Sequence, residues 1–203
     1  MSGAPPKYRR YAPEDRQDML IEAGLACLAD GGMPGFTIER ICAAAGGASR
    51  GLVAHHFGSK QGLLRACYTA AYDRLLGNAA PGRKADADLG EMIEALLADA
   101  YTTPETLRAW LVLWGEVAND ADLMAEHRRY YDHYRGCVAA ALEKAAGARG
   151  LPVPASDLAI MFISLVDGLW LERCLDPERL SREDVRRACT TFLAPYLGPD
   201  TGL

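Results

Sequence analysis

The chain has 203 residues, 50% of them hydrophobic, and a formal net charge of −5 at pH 7. This length is enough for a sizeable core in one or two domains, and the negative total excludes a general attraction of the whole protein to nucleic acid or membranes. The charge is uneven, because residues 1–60 carry seven Lys/Arg against six Asp/Glu, whereas residues 61–203 carry fifteen against twenty-one. Only the first segment therefore has no net repulsion from phosphate.

The cysteines and the first residues indicate a reducing compartment. The six cysteines form no C-x-x-C pair and lie at no metal-ligand spacing from a histidine, so we interpret them as small core residues and expect neither metal nor cofactor. They are Cys27, Cys42, Cys67, Cys137, Cys174 and Cys189. Residues 1–17 have no apolar signal core, and no apolar run is long enough to cross a bilayer. We expect a cytoplasmic protein with no membrane partner.

Residues 1–13 hold three prolines and three basic side chains, and they are predicted to form a flexible basic arm. From Pro13 onward the pattern is helical, because apolar residues recur at steps of three and four. These residues are Met19, Leu20, Ala23, Cys27 and Leu28. The segment DGGMPGF (30–36), rich in glycine and proline, is predicted to end this first helix.

Residues 37–60 are organised by three capping residues and a glycine pair. Thr37, Ser49 and Ser59 each stand where a side-chain oxygen can cap the start of a helix. Gly46 and Gly47 separate the helix that begins after Thr37 from the helix that begins after Ser49. The helix that begins after Ser59 is predicted to be long. The pattern therefore predicts a short helix, a tight turn and a second short helix.

Two short helices joined in this way form a helix-turn-helix, which we place at residues 14–60 and whose second helix can enter the major groove of DNA. Small residues near the start of that helix would let its backbone approach the duplex, and its arginine has a planar fork suited to guanine. Backbone N–H groups at the helix starts favour phosphate. The predicted DNA contacts are Thr37, Arg40, Ser49, Arg50, Gly51, Leu52, Ala54, His55, His56 and Lys60.

The adjacent histidines His55 and His56 have two plainer interpretations. A metal site is disfavoured, because consecutive helical residues point about 100° apart and no thiol or acidic partner follows at i+4. The other interpretation is a solvated helix face without function. It does not explain why two capped short helices are flanked by an arginine and a lysine. We therefore predict DNA contact and no metal ligand in this segment.

The chain after residue 60 is predicted to be entirely helical. A linker at 77–88 precedes a series of helical patterns, and prolines fall at the breaks between them. The patterns lie at about 88–102, 104–119, 121–148, 156–175 and 181–196. With no alternating strand segment, the fold is predicted to be all-α with about nine helices: a three-helix N-terminal domain and a larger helical domain at 61–203.

Aromatic side chains and one carboxylate mark a candidate ligand site in the larger domain. Trp110 and Trp114 lie four apart on one helix face, and Asp167 and Trp170 lie three apart on another. Together with Tyr101, these residues could hold a quaternary ammonium through cation–π contact and charge. The alternative is that the tryptophans only pack the core. Asp167 is more informative, because a carboxylate on such an apolar helix needs a partner, either a ligand or an arginine across a dimer.

The segment EHRRYYDHYRG (126–136) is rich in tyrosine and charge. Its tyrosines, Tyr130, Tyr131 and Tyr134, are candidates for the mouth of a pocket. We favour the alternative that the segment is the solvated face of a long helix, because runs of charge usually face water.

The segment FTIERICAAAGGASRGLVAHHFGSKQGLL (36–64) resembles the helix-turn-helix of the tetracycline-repressor (TetR) family, and the match extends over about residues 14–70. Two features depart from the family pattern. The chain has one additional residue around 46–48, which predicts a remodelled turn, and Ala54 replaces a usual tyrosine or serine, which removes one phosphate contact. The matching positions are Thr37, Ile41, Ala45, Gly46, Ser49, Gly51, Phe57, Lys60, Leu63 and Leu64.

The segments LRAWLVLWGEV (107–117) and LVDGLWLERCL (165–175) are similar to those of choline-sensing BetI-type repressors. The resemblance implies a ligand-binding and dimerisation domain, with a small-molecule effector such as choline bound among its middle helices. It also implies a homodimer that pairs its last two long helices with those of the partner and binds a near-palindromic, double-stranded operator. The pattern at 156–175 is apolar nearly all round, which fits burial on both a core side and a partner side.

These resemblances imply a ligand-responsive transcriptional regulator, acting as a repressor that its effector releases from the operator. A helical enzyme that uses His55, His56 or His133 is the alternative from another class, and an interaction scaffold is a third. The sequence has no nucleophile elbow, no phosphate loop and no repeated Glu-x-x-His pair. We therefore predict no catalytic residues.

Overall fold

The computed structural model describes residues 13–77, 89–97, 103–147, 150–176 and 178–198. These residues form nine α-helices and no β-strand, which confirms the predicted all-α class. The predicted basic arm and most of the predicted linker lie outside the described residues. The helices are α1 (Pro13–Gly35), α2 (Ile38–Ala44), α3 (Arg50–Phe57), α4 (Lys60–Leu76), α5 (Leu89–Leu97), α6 (Pro104–Val117), α7 (Ala121–Gly147), α8 (Ala155–Leu175) and α9 (Arg182–Leu197).

The chain divides into two compact units, Met1–Cys67 and Tyr68–Leu203. The division falls inside α4, a few residues beyond position 60, where the sequence places the end of the first domain. The N-terminal unit holds the helix-turn-helix, and its core is formed by large apolar side chains from all four helices. These include Leu20, Leu28, Phe36, Ile41, Val53 and Leu63.

The last part of α1 is broken where the sequence predicts the helix to end. The backbone of Gly32 is not helical, with φ 59° and ψ −159°, and one further turn containing Pro34 follows it. A residue with a Cβ is strained at such a positive φ, so glycine is the residue that permits the break.

The three predicted N-caps are confirmed. Each side-chain oxygen accepts a hydrogen bond from the backbone N–H three residues later, at 3.3 Å for Thr37, 3.3 Å for Ser49 and 3.0 Å for Ser59. These bonds satisfy N–H groups that have no partner inside the helix, and each contributes about 1 kcal/mol. The caps therefore define where α2, α3 and α4 begin.

The turn between α2 and α3 contains two successive glycines with positive φ, Gly46 at 70° and Gly47 at 82°. The N–H groups of Gly47 and Ala48 both donate to the carbonyl oxygen of Cys42, each at 3.0 Å. The bond from Gly47 closes α2 in the manner of a Schellman motif. This is also the place of the additional residue, and two left-handed glycines let the chain include it.

The C-terminal unit is a bundle in which α7 and α8 form the most extensive helix pair. α6 and α9 pack on both of them, and α5 contacts α7 and α9. The core lies between these helices and combines aliphatic with aromatic side chains. Its most buried members include Leu107, Trp110, Leu113, Leu123, Tyr130, Val138, Leu142, Leu158, Phe162 and Leu193.

The cysteines lie in these cores, as predicted. All six thiols are free; Cys174 is half-buried and the other five are buried. Burial raises the pKa of the Cys189 thiol to about 11 and that of Cys174 to about 12, so these thiols stay protonated at neutral pH.

α8 has one buried face and one exposed apolar face. Its exposed side carries Ile160, Met161, Leu171 and Leu175, which are 42%, 50%, 39% and 72% exposed. Gly168 lies on the same side and has open space beside it. Neither α8 nor any other helix in the described ranges is long and apolar enough to span a membrane.

Candidate nucleic-acid interface and ligand cavity

α3 presents a small and exposed face at the surface of the N-terminal unit. Arg50, Gly51, Ala54 and His55 are exposed, whereas Val53 is only 2% exposed and anchors the opposite side of the helix in the core. A narrow helix with small residues next to an arginine has the shape and composition needed to enter a major groove.

The fold itself gives no reason for glycine at position 51. A Cβ placed there would meet only the Ser49 hydroxyl oxygen, at an ordinary contact distance of 3.7 Å. At Gly62, by contrast, a Cβ would lie 1.9 Å from the carbonyl oxygen of Phe57. Gly62 is required by the packing of the protein, while Gly51 keeps the outer face of α3 flat.

Arg50 is held by an ion pair with α2. Its Nη2 lies 2.7 Å from Oε1 of Glu39, and the two side chains are 72% and 57% exposed. Such exposed pairs contribute about 0–1 kcal/mol. The guanidinium group therefore lies beside α2, and exchanging Glu39 for a stronger hydrogen-bond acceptor would cost little free energy.

Arg40, another predicted DNA contact, is engaged with the end of α1. Its Nη2 lies 2.6 Å from Oδ2 of Asp30. A Cβ at Gly31 or Gly35 would approach its Nη1 to 2.8 or 3.1 Å, so the guanidinium lies directly over these two glycines. The structure thus gives Arg40 a role in holding α2 against α1, a role that the sequence pattern did not reveal.

The other predicted contacts are placed around α3. Thr37 and Ser49 are caps whose side-chain oxygens already accept a backbone hydrogen bond. Lys60 is the first residue of α4 and is half-buried, as are Leu52 and His56 on α3. A lysine at a helix start adds its charge to N–H groups that already favour an anion.

The two adjacent histidines pack against each other on α3. The rings of His55 and His56 meet edge to face with their centroids 5.1 Å apart. In the part of the chain that the structure describes, no group of three or more His, Cys, Asp or Glu side chains is arranged to hold a metal ion.

A cavity of about 610 Å³, including its open mouth, lies between the helices of the C-terminal unit. Its walls are mainly apolar, with one carboxylate and one guanidinium. They are formed by Leu75 of α4, Ile93 of α5, Trp110 and Trp114 of α6, Val166, Asp167, Trp170 and Arg173 of α8, and Val185 and Cys189 of α9.

The tryptophans form one aromatic wall of this cavity. The ring centroid of Trp170 is 5.0 Å from that of Trp114 and 6.2 Å from that of Trp110. Tyr72 supports the wall from behind, because its ring centroid lies 4.6 Å from Trp110 and its hydroxyl accepts a hydrogen bond from Nε1 of Trp114 at 3.2 Å. Indole rings carry a negative charge density on their faces, which is the property that attracts a cation.

Asp167 faces the same cavity and is hydrogen-bonded to the hydroxyl of Tyr131. Burial raises the pKa of Asp167 to about 6 from its ordinary value of 3.8, and the hydrogen bond from Tyr131 offsets part of this effect. The carboxylate is therefore ionised at neutral pH but poorly solvated. A bound cation would relieve this cost.

Two buried polar atoms have no hydrogen-bond partner among the described residues: Nε of Arg173 and the hydroxyl oxygen of Tyr134. Arg173 lines the cavity. The pKa of Tyr134 is raised by burial and by the charge of Asp167. The sequence analysis did not select Arg173, and its spacing of three from Trp170 on α8 was the available signal.

The interpretation of residues 126–136 as a solvated face is wrong for the tyrosines. Tyr130 and Tyr134 are only 1% and 7% exposed, and the Tyr130 hydroxyl donates to Oδ1 of Asp73 at 2.6 Å. Tyr131 is half-buried against Asp167. The four-residue spacing of Tyr130 and Tyr134 is a core spacing, and the surrounding charges concealed it.

The structure brings Trp110, Trp114, Asp167 and Trp170, all predicted ligand contacts, to one cavity. Tyr101, the fifth, lies outside the described residues. Half-burial of Trp114 and Trp170 is consistent with cavity walls, whereas Trp110 is 3% exposed and also belongs to the core. Ligand contact by these residues stays a prediction.

Family models match both units of the chain. The model of bacterial regulatory proteins of the tetR family matches residues 20–67, and the model of the C-terminal domain of BetI-type transcriptional repressors matches residues 85–198. The chain belongs to the TetR family. Its C-terminal domain is of the BetI type, so the resemblances in both halves of the sequence are confirmed.

Curated relatives support this assignment over nearly the whole length. The HTH-type transcriptional regulator BetI of Burkholderia mallei is 27% identical over 191 residues, covering 92% of this chain and 95% of that protein. The BetI regulator of Paraburkholderia xenovorans is 30% identical over 189 residues, covering 89% of this chain and 92% of that protein.

Solved structures of transcriptional regulators have the same fold. A transcriptional regulator from Pseudomonas aeruginosa PAO1 is 32% identical, with a TM-score of 0.78 and coverage of 95% of both chains. A regulator from Saccharomonospora viridis, solved in complex with choline, is 20% identical, with a TM-score of 0.69 and coverage of 89% of this chain and 96% of that one.

As a TetR-family member, the protein is a transcriptional regulator that binds DNA through its helix-turn-helix, and it is not an enzyme. The alternative of a helical enzyme using His55, His56 or His133 is therefore wrong. That the exposed face of α3 reads DNA, with Ala54 leaving a smaller surface than the family pattern, stays a prediction.

Proposed function

We propose that the protein is a homodimeric repressor that binds a near-palindromic operator through α3 and is released by a small cationic effector. The observation that carries this proposal is the cavity of the C-terminal unit, in which an aromatic wall and the buried carboxylate of Asp167 face the same space. The proposal includes a cytoplasmic location, which a DNA-binding regulator supports.

The DNA side of the proposal rests on α3 and the start of α4. Arg50 would leave Glu39 and donate two hydrogen bonds to O6 and N7 of a guanine, which is worth about 1–3 kcal/mol of discrimination between bases. Lys60 would contact phosphate at the positive end of α4. Gly51 and Ala54 would let the helix lie deep in the groove.

A quaternary ammonium compound is the effector that the cavity fits best. Its methyl groups would pack against the indoles of Trp110, Trp114 and Trp170, and its charge would compensate Asp167. A regulator with the same fold has been solved in complex with choline, and BetI regulators are among the relatives of this chain. Choline is therefore the first compound to test.

The dimer would form through α8 and α9. The apolar side of α8 exposes Ile160, Met161, Leu171 and Leu175, and a folded chain rarely leaves such a row in water. Gly168 lies in the middle of that row with open space beside it, which permits a close approach of the partner helix. A symmetric dimer would present two α3 helices about 34–36 Å apart, one turn of the duplex.

The two functions would be coupled through α4. This helix carries Lys60 at its first residue and Leu75, a cavity residue, near its last. A ligand that prefers one position of α4 changes the equilibrium between DNA-binding and released states only by its preference, typically about 1–3 kcal/mol.

Fluorescence anisotropy with a duplex selected from a random-sequence pool by the purified protein tests the proposal. We expect binding that weakens steeply as salt rises from 50 to 200 mM, and an increase in Kd on addition of choline. Arg50→Ala should lower the preference for the selected sequence, whereas Lys60→Ala should weaken selected and unrelated duplexes equally.

Two outcomes would contradict it. Recovery of no preferred sequence from the pool would remove the proposed reading role of α3. Operator binding that no cationic compound alters, together with unchanged tryptophan fluorescence, would remove the proposed effector role of the cavity.

A further inference from the structure

Arg173 gives the cavity a second charged wall that a simple cation does not use. Its Nε is buried and has no acceptor among the described residues. The guanidinium group gives this wall a positive charge and several hydrogen-bond donors. A buried donor without an acceptor is costly, and a ligand that supplied one would gain that energy.

Arg173 and Asp167 are arranged on either side of Trp170. The three residues follow one another at intervals of three along α8, and all of them line the cavity. The backbones of Asp167 and Arg173 are separated by about 9 Å along the helix axis, from six residues at about 1.5 Å each. An elongated ligand lying across Trp170 would therefore reach both charges.

Asp167 does not neutralise Arg173. A guanidinium paired with the carboxylate would hold the pKa of Asp167 below its ordinary value. Instead the pKa of Asp167 is raised to about 6 by burial, and its hydrogen-bond partner is Tyr131. The cavity thus keeps an anionic and a cationic group apart.

We propose that the effector is a zwitterion, with a bulky ammonium group held by the indoles and Asp167 and a carboxylate that accepts hydrogen bonds from Arg173. This inference rests on the proposed function of the cavity as the effector site. A compound with only a cation, such as choline, would fill one half of the site and leave Nε of Arg173 without an acceptor.

Two ligands that differ only in their carboxylate test the contribution of Arg173 separately from that of Asp167. γ-Butyrobetaine carries a trimethylammonium group and a carboxylate, and its methyl ester keeps the cation but blocks the anion. All three tryptophans of the chain line the cavity, so selectively excited tryptophan fluorescence reports on this site. With the full-length protein at pH 7.5, we expect γ-butyrobetaine to bind at least about tenfold more tightly than the ester, the effect of one charge-assisted hydrogen bond.

Substitutions test whether Arg173 causes the preference for γ-butyrobetaine. Arg173→Gln should remove the preference for γ-butyrobetaine and leave the affinity for the ester unchanged or higher. Asp167→Asn should weaken both compounds. Arg108→Gln on α6 is the matched control, because Arg108 pairs with Glu105 outside both the cavity lining and the proposed interface, and it should change neither affinity.

The outcomes are distinct from a failure of the proposed function. Equal affinities of the wild-type protein for the two compounds would overturn the zwitterion and leave the cation site intact. Loss of dimer in Arg173→Gln, with the ligand preference retained, would also overturn it by assigning Arg173 to the partner interface. If neither compound changes the fluorescence, the cavity is not the effector site and both proposals fall. The wild-type comparison decides the matter even where a variant does not fold.

Discussion

At position 51, glycine is needed for DNA binding as proposed here, but not for the stability of the fold. Since a Cβ at this position would meet only Ser49 at 3.7 Å, we expect Gly51→Ala to leave the free energy of unfolding unchanged or to raise it by up to about 1 kcal/mol. The added methyl group would stand on the face that approaches the duplex, so affinity for the selected operator should fall at least about tenfold, measured by anisotropy.

Gly62→Ala is the matched control for this prediction. Its Cβ would lie 1.9 Å from the Phe57 carbonyl oxygen, so the variant should unfold at a markedly lower urea concentration. A Gly51→Ala protein that keeps full operator affinity would show that α3 does not approach DNA as closely as proposed.

Asp167 makes the stability of the protein depend on pH. Its pKa is raised by burial to about 6 from 3.8, so its contribution to stability is fully present below about pH 4 and is lost as the pH rises through about 6. The shift corresponds to at most about 3 kcal/mol. We expect Asp167→Asn to unfold at a higher urea concentration than the wild type at pH 8 and to show a smaller difference at pH 4.

The same substitution should have the opposite effect on ligand binding. Affinity of the wild-type protein for a cationic ligand should rise as the pH passes through about 6, because the carboxylate becomes charged there. Tryptophan fluorescence titrations at pH 5 and 7.5 measure this rise. An Asp167→Asn variant with the same pH dependence as the wild type would assign the effect to another group.

At the scale of elements, the turn between α2 and α3 depends on two glycines with positive φ. Alanine at such a position costs about 1–2 kcal/mol. We expect Gly47→Ala to lower the free energy of unfolding by this amount, measured by urea denaturation, and to weaken operator binding by changing the direction of α3. Ala48→Gly changes the same turn without placing a Cβ at a positive φ, and its effect should be smaller.

The elements of the N-terminal unit could be predicted closely from sequence because local interactions define them. Thr37, Ser49 and Ser59 cap helices through bonds to residues only three positions away. The tyrosines of α7 could not be placed correctly, because their burial depends on partners far along the chain. Tyr130 bonds to Asp73, and Tyr131 bonds to Asp167.

At the scale of the whole molecule, the exposed row on α8 predicts the oligomeric state. Met161 is 50% exposed in the single chain, so a charged residue there is compatible with the folded unit. We expect Met161→Glu to sediment as a monomer in analytical ultracentrifugation and to lose most of its operator affinity, because one reading helix forms half of the contacts.

Ala140→Glu provides the comparison for this experiment. Ala140 is exposed on α7, which the proposed interface does not include. This variant should remain a dimer and bind the operator normally. A dimeric Met161→Glu protein would place the interface on another face.

The candidate sites were predictable to different degrees. The sequence selected four of the cavity residues because Trp and Asp are conspicuous at helical spacing. It did not select Arg173 or Leu75, since an arginine near a helix end and a leucine in an apolar stripe have ordinary roles. The sequence also could not reveal that Arg40 pairs with Asp30 and Arg50 with Glu39. Each pair joins two different helices, so its members come together only when α1, α2 and α3 are packed.

The ion pair between Arg50 and Glu39 has a consequence for the search along a genome. Because the guanidinium of Arg50 is already paired with a carboxylate, it gains little free energy from non-specific DNA. We therefore expect short residence times on such sequences. Where a guanine is present, two hydrogen bonds from Arg50 to its O6 and N7 would replace the one weak ion pair with Glu39. The regulator would then move quickly over non-specific DNA and stay longer at its operator, and Glu39 would influence both residence times.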